Sequence, residues 1–296
     1  MARQAGRVIA AHGRHFLVAI EPPAAKDGPL ECVMRGKKGG VACGDHVEIS
    51  PTHPGSGVIE QVLPRRNLLY RSDQLREKLI AANVDQALIV VAAVPQFREE
   101  LLIRCLAACE AAEIPAVIIL NKIDLPESAA LASSLEHYAG LGYPVIHVSA
   151  HGDIAALATR AAGQVSVLVG ASGMGKSSLL NRLVPDAAAA VGDISVALDA
   201  GRHTTTQARL HRLPVGGAVI DSPGMQEFGL RHLDASTLTQ AFPEIRARVG
   251  QCRFYNCRHL KEPGCAVLEA AASGAIRSTR LRVYQSLIAQ SEGPTR

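Results

Sequence analysis

Residues 170–178 read Gly-Ala-Ser-Gly-Met-Gly-Lys-Ser-Ser, which has the form GxxxxGK[ST]. That spacing suits phosphate chemistry. Gly170, Gly173 and Gly175 let the backbone turn tightly, so that N–H groups of Ala171, Ser172, Met174 and their neighbours can face one anion. Lys176 would place a compact charge on the β- and γ-phosphates, and Ser177 would offer a hydroxyl to Mg²⁺. Val165–Val169 before the loop is an apolar, β-branched run that predicts a buried strand. Ser178 and the residues to Leu183 predict a helix whose N-terminus faces the phosphates. The competing reading, a chance glycine-rich turn, does not require this strand and helix.

Asn121-Lys122-Ile123-Asp124 has the form NKxD and ends a second apolar run, residues 115–120. Asp124 can accept from both the N1–H and the exocyclic amine of guanine, whereas adenine would leave it unpaired. Asn121 and Lys122 would brace and cover the base. Ser149-Ala150 ends the run from Pro144 and resembles the fifth element of GTP-binding proteins, which offers a backbone N–H to the guanine oxygen. Asp221-Ser-Pro-Gly224 has the form DxxG and ends the run over residues 217–220. Asp221 would hold Mg²⁺ through water, and the Gly224 N–H would reach the γ-phosphate. Before it lies Gly201-Arg-His-Thr-Thr-Thr206, where a threonine can meet Mg²⁺; Thr205 is assigned that part, with Thr204 and Thr206 left open.

The order of these motifs is unusual. NKxD and Ser-Ala precede the phosphate loop, and DxxG comes last. This is a circular permutation of a GTPase domain. Strand neighbours rather than chain ends determine the packing, so the same parallel sheet is expected. Residues 224–229 then lead straight into the C-terminal segment, and a nucleotide-driven movement there can pull on whatever follows.

That segment contains Cys252-x4-Cys257-x-His259-x5-Cys265. Three thiolates and one imidazole form a closed four-ligand set for structural Zn²⁺, one ion per chain. Disulfides and buried free thiols are the competing readings. Cys105 and Cys109, one helical turn apart in an Ala-rich stretch, read as small apolar packing. Cys32 and Cys43 carry no assigned chemistry.

Taken together, the permuted motifs, GRHTTT, DSPG and the Cys/His pattern resemble the ribosome small-subunit-dependent GTPase A family, over essentially the whole chain. The resemblance implies a multidomain α/β protein. It would have an N-terminal OB-fold β-barrel (residues 1–66), a circularly permuted P-loop GTPase domain (67–229) and a mostly helical zinc-binding domain (230–296). It implies GTP hydrolysis stimulated by the small ribosomal subunit through 16S rRNA, late in that subunit's maturation. It also nominates His203 as the group that positions the attacking water. Many GTPases place glutamine after DxxG, but this chain has Met225, and a thioether cannot orient water. A neutral imidazole suits the task; the competing reading gives His203 an rRNA contact or a turn cap.

The elements around these motifs agree. Five short strand-like runs, beginning at Gly6, His15, Leu30, His46 and Gly57, are separated by Gly and Pro clusters and suit a small barrel. Arg35, Lys37 and Lys38 cluster where they could meet phosphates, or form only a solvated loop. Phe16 is the sole aromatic before Tyr70, so extensive base stacking by the barrel is not expected. A chain of 296 residues with net charge +4 suits two or three domains and permits an RNA partner without demanding one. Neither a leader peptide nor a membrane span is expected, and a cytoplasmic monomer is. The polar tail after Leu287 is expected to fray.

Three function classes follow. One is a subunit-activated GTPase, and another is a GTP-dependent switch on a different RNA. The third is a non-enzymatic zinc and OB-fold RNA binder, which the intact nucleotide motifs argue against.

Overall fold

The computed structural model describes residues 3–22, 28–36, 40–72, 77–185, 208–222 and 226–291. His203, Thr205, Gly224, Met225, Lys37 and Lys38 lie outside them.

The N-terminal runs become strands β1 (Gln4–His12), β2 (His15–Ile20), β3 (Leu30–Met34), β4 (His46–His53) and β5 (Ser56–Val62). Their side chains alternate, and Val8, Phe16, Val18, Leu30, Cys32, Val47, Ile49 and Ile59 turn inward. The strands pair in the order β1-β2-β3-β5-β4, and β4 pairs again with β1, which closes a five-stranded barrel. Phe16 is buried in its core. It therefore offers no stacking surface, as its isolation in the sequence suggests.

The central sheet holds β8 (Gln86–Val91), β9 (Ala116–Leu120), β10 (Val145–His147), β11 (Val165–Val169), β12 (Arg209–Arg212) and β13 (Ala218–Asp221). Their spatial order is β10-β9-β8-β11-β13-β12, all parallel except β12. Apolar side chains line both faces, as a parallel sheet covered on both sides requires. Leu88, Val90, Val117, Ile119, Leu168 and Val219 pack on one side with helices α3 (Ala155–Ala161) and α4 (Lys176–Leu183). Ile89, Val91, Ile118, Leu120, Val167 and Ile220 face the other side, with α1 (Glu99–Ala111) and α2 (Ser128–Gly140). The barrel joins this sheet edge to edge: β1 pairs with β12 at Ala10 and Arg209.

A hairpin of β6 (Leu68–Ser72) and β7 (Glu77–Ala82) links barrel and sheet. The sequence pattern did not single it out.

Beyond residue 230 the chain is helical: α5 (Ala235–Gln240), α6 (Pro243–Arg246), α7 (Ala266–Ala272) and α8 (Ser278–Ser291). These helices share one core with α1. Leu238, Phe242, Val267, Tyr284 and Leu287 cluster with Leu102, Leu106 and Cys109. The cysteines of α1 are packing residues here, as expected. Helix α8 runs through Ser291 with Ile288 buried, so the ordered structure extends past the Leu287 limit set from polarity. Buried Arg280 forms an ion pair with buried Glu244, and its guanidinium lies 5.1 Å from the Phe242 ring centre and 5.6 Å from that of Tyr138. Glu99 accepts from both Tyr138 and Arg277 at 2.9 Å, which ties α1, α2 and the start of α8 together. No helix among the described residues is long and apolar enough to cross a membrane.

Candidate functional site

The parallel strands end on one edge of the sheet. From β8 the chain steps outward to β9 and β10, then returns to β11 on the other side of β8. Where the strand order reverses, the loops diverge and leave a crevice at the carboxyl ends. Asn121–Asp124, Ser149-Ala150, Gly170–Gly175 and Asp221 all open there, each at or just past the end of a strand.

The phosphate loop is built on left-handed backbone. Gly170 has φ 147° and Gly175 φ 91°. A Cβ on Gly170 would come 2.4 Å from the Val90 carbonyl oxygen, and one on Gly175 would come 2.2 Å from Asn121 Nδ2. Neither conformation nor space admits a side chain at these positions. Helix α4 starts at Lys176, so its first N–H groups face the crevice. Lys176 is buried, and its Nζ donates to the Gly170 and Ala171 carbonyls at 2.9 Å each. Burial lowers its pKa, while Asp221 works the other way. Ser172, Gly173, Ser177 and Ser178 are exposed, and Met174 is buried.

The NKxD element braces this loop. Asn121 is fully buried, donates to the Met174 carbonyl at 2.9 Å, and accepts the Ala150 N–H at 3.1 Å. One carboxamide thus joins three motifs, and the N–H expected to meet a guanine oxygen is engaged by Asn121. Lys122, at φ 63°, donates to the Val94 and Gly173 carbonyls at 2.7 and 2.8 Å. Asp124 stays exposed. Its Oδ1 accepts from the Ser149 hydroxyl at 2.5 Å, and that bond is the main reason its pKa is lowered.

Asp221 is buried at the end of β13, and its Oδ1 has no hydrogen-bond partner among the described residues. Desolvation pushes its pKa up to about 6, opposed by Lys176. A buried carboxylate oxygen without a partner is costly, and its chemistry fits a cation held against phosphate. Gly224, His203 and Thr205 belong to the same expected set but lie outside the described residues.

Some positioning residues carried no motif signal. Arg182, at the end of α4, donates to the Ala150 and Gly152 carbonyls at 2.9 and 3.1 Å and ties the Ser-Ala loop to the phosphate-loop helix. Arg98 donates to the Gln226 carbonyl at 2.6 Å and Arg71 to the Glu227 carbonyl at 2.9 Å. Both therefore hold the segment after Asp221–Gly224. Only long-range geometry reveals these bonds.

The second cluster lies in the C-terminal part. One ligand atom each from Cys252, Cys257, His259 and Cys265 falls within 4.8 Å of the others. Cys252 Sγ is 3.5 Å from His259 Nδ1 and 3.9 Å from Cys265 Sγ, and His259 Nδ1 is 3.3 Å from Cys265 Sγ. A tetrahedron with Zn–S near 2.3 Å has edges of about 3.8 Å, so these spacings and donors fit Zn²⁺. His259 is held by its backbone: Gln285 donates to the His259 and Leu260 carbonyls at 3.0 and 3.1 Å.

Known proteins are similar to this chain over nearly its whole length. The sequence model of the RsgA GTPase family matches residues 62–231. The chain is 54% identical over 291 residues to the small ribosomal subunit biogenesis GTPase RsgA of Burkholderia pseudomallei, covering 97% of this chain and 92% of that one. The protein of the same name from Nitrosospira multiformis is 51% identical over 286 residues, covering 96% and 90%. Among solved structures, YjeQ from Thermotoga maritima superposes with a TM-score of 0.74 at 31% identity, covering 99% of this chain and all of that one. YloQ, described as a circularly permuted GTPase, gives 0.71 at 28% identity, covering 100% and 97%.

Proposed function

The chain belongs to the RsgA GTPase family, and from that premise we propose that it hydrolyses GTP in the crevice above β8 and β11 when engaged with the small ribosomal subunit. One observation supports the reading above the others. Asn121 bonds at once to the phosphate loop and to the Ser-Ala loop, which makes base recognition and phosphate binding one structure. That the permuted chain brings its base-reading and phosphate-binding motifs together supports the reading.

The described residues divide the work. Asp124 accepts from the two guanine donors, and Ser149 orients it through the 2.5 Å bond. Lys122 covers the base from the side of Gly173. Gly170, Ala171, Ser172, Gly173, Met174 and Gly175 wrap the phosphates with backbone N–H groups, and the start of α4 adds its dipole. Lys176 must leave the Gly170 and Ala171 carbonyls to reach the phosphates, and its buried, partly desolvated ammonium gains by doing so. Ser177 and Asp221 would hold Mg²⁺, with Thr205; when bound, that ion neutralises charge on the β- and γ-oxygens. Gly224 would meet the γ-phosphate and His203 would orient the water. Cys252, Cys257, His259 and Cys265 would hold one structural Zn²⁺.

Without a glutamine beside the γ-phosphate, intrinsic turnover is slow, and the subunit sets the rate. We infer a cytoplasmic monomer that contacts 16S rRNA. The test is GTP turnover with purified small subunits against turnover with tRNA or bulk RNA. Stimulation by subunits alone supports the reading, whereas equal stimulation by any RNA would favour a general RNA switch.

A further inference from the structure

Cys252 and Cys257 close a four-residue loop, Arg253-Phe254-Tyr255-Asn256, at both ends. Their place in the Cys/His cluster fixes the loop's base. Within it, the Cys257 N–H donates to the Phe254 carbonyl at 3.2 Å, and the Arg253 N–H donates to the Gly264 carbonyl at 2.9 Å. The loop is therefore a short, pinned knuckle.

What it presents outward is unusual for this chain. There are five Phe, five Tyr and no Trp. All ten lie within the described residues, and only Phe254 and Tyr255 are exposed, at 42% and 101%. Single exposed apolar residues need no explanation. Here, however, the two outward aromatics of the whole chain are neighbours on one pinned loop, and Tyr255 touches nothing that shields it.

The charge around them has one sign. From Ile245 to Lys261 there are five cations and no carboxylate. Arg246 pairs with Glu110 and Arg248 donates to the Glu244 carbonyl, so those two are turned toward the body of the protein. Arg253 and Lys261 are exposed on the same Cys/His segment, and the Arg253 guanidinium lies 5.6 Å from the Phe254 ring centre. The next acid, Glu262, accepts the N–H groups of Arg258, Leu260 and Lys261 and is used up inside the knuckle.

We propose that this knuckle is a stacking platform for unpaired RNA bases, with Tyr255 as the stacking ring and Arg253 and Lys261 on the flanking phosphates. The inference deepens the small-subunit reading and rests on its RNA partner. An aromatic face accepts any base, while the cations follow the backbone, so the platform favours single strands without a fixed sequence. Pinning both ends removes most of the ordering cost of binding. The barrel's one Phe is buried, so it offers no exposed Phe or Tyr for this contact.

The experiment uses the full chain. Anisotropy of a labelled single-stranded oligoribonucleotide, and of its duplex, is measured with wild type, Tyr255→Ala, Tyr255→Leu and Tyr255→Phe. Co-sedimentation with small subunits in a non-hydrolysable GTP analogue runs in parallel. Zinc content and basal GTPase activity confirm that the variants fold, as an exposed position should allow. Losing one stacked base should weaken single-strand and subunit binding by about 5- to 150-fold in the Ala variant. The Leu variant, apolar but unable to stack, should follow Ala, and Phe should match wild type. Duplex affinity should be nearly unchanged. Unaltered single-strand affinity in Tyr255→Ala overturns the proposal. So does a loss toward subunits with none toward RNA, which would assign the knuckle to a ribosomal protein. If subunits fail to stimulate wild type while Tyr255→Ala still loses single-strand affinity, the small-subunit reading falls and the platform stands.

Discussion

The Asn121 carboxamide donates to the Met174 carbonyl at 2.9 Å across 53 positions of sequence, and its oxygen takes the Ala150 N–H. In Asn121→Ala both groups lose their partner in a buried setting, at about 1–3 kcal/mol each. Urea unfolding should show a clear loss of stability. GTP affinity should fall as well, because the loop loses its brace, but the preference for guanine over adenine should survive. A variant as stable as wild type would mean that water or backbone adjustment replaces both bonds.

Asp124→Asn should give the opposite pattern. The side chain is exposed, so stability should barely move. An amide cannot accept from both guanine donors, and GTP affinity should drop by about tenfold or more with a relaxed base preference. Fluorescent-nucleotide titration with guanine and hypoxanthine analogues measures this. Unchanged GTP affinity would remove Asp124 from the site.

Asp221 makes a pH prediction. Its pKa is raised from 3.8 to about 6 by burial, which corresponds to about 3 kcal/mol. The protonated form is favoured in the folded state. The associated stability is therefore fully present below about pH 4 and is lost as pH rises through 6. Asp221→Asn does not ionise. Its stability advantage over wild type, without nucleotide, should be near zero at pH 4 and approach that figure at pH 7, while Mg²⁺-dependent GTP hydrolysis is lost. Parallel stability curves for the two proteins across that range would contradict the burial argument.

The motifs were legible because each is local: a buried strand run, then a loop of fixed composition. Contacts between distant segments were not. The hairpin of β6 and β7 mixes Arg71 and Lys78 with Leu69 and Ile80, so it shows no strong alternation, and its register depends on pairing alone. The shared core had a signal that the motifs overshadowed. In α1, Leu101, Leu102, Ile103, Cys105, Leu106, Ala107, Ala108 and Cys109 are all buried. A helix that apolar on every side must be covered from more than one direction, and the C-terminal helices supply the second cover. The same logic explains α8, where Tyr284, Leu287 and Ile288 form one buried stripe that carries the helix past the polar residues.

Zinc should be tied to that shared core. Elemental analysis should find one ion per chain. Cys257→Ala should lose it and unfold the knuckle, since metal binding and folding are coupled. Cys265 is buried at the start of α7 and packs with Val267 against the common cluster. Hydrogen exchange should therefore rise not only over 252–272 but also on α1. The nucleotide motifs brace one another through Asn121, Lys122 and Arg182, so GTP affinity should change far less than stability. Protein purified without chelators and containing no zinc would count against the site.

The final prediction concerns how the nucleotide reaches the ribosomal surface. Ser72, at the end of β6, donates its N–H to the Gly229 carbonyl at 3.0 Å; its hydroxyl accepts the His232 N–H at 2.9 Å and lies 2.8 Å from His232 Nδ1. Tyr70 stacks on the His232 ring at 3.9 Å, and Arg71 holds the Glu227 carbonyl. The segment following Asp221–Gly224 is thus fastened to the hairpin on one side and continues into the zinc-bearing helices on the other. A γ-phosphate that orders residues near Gly224 should bias both. The GTP-bound protein should bind small subunits more tightly than the GDP-bound protein, with a coupling of about 1–3 kcal/mol. Linkage then requires subunits to tighten the GTP analogue, relative to GDP, by the same factor. Ser72→Ala, which keeps the backbone bond but loses both hydroxyl contacts, should shrink that factor in both directions while leaving GTP affinity without subunits nearly intact. Co-sedimentation with analogue, GDP and no nucleotide, paired with nucleotide titration on saturating subunits, measures both sides. Equal subunit affinity in all three states would sink the switch even if hydrolysis were normal.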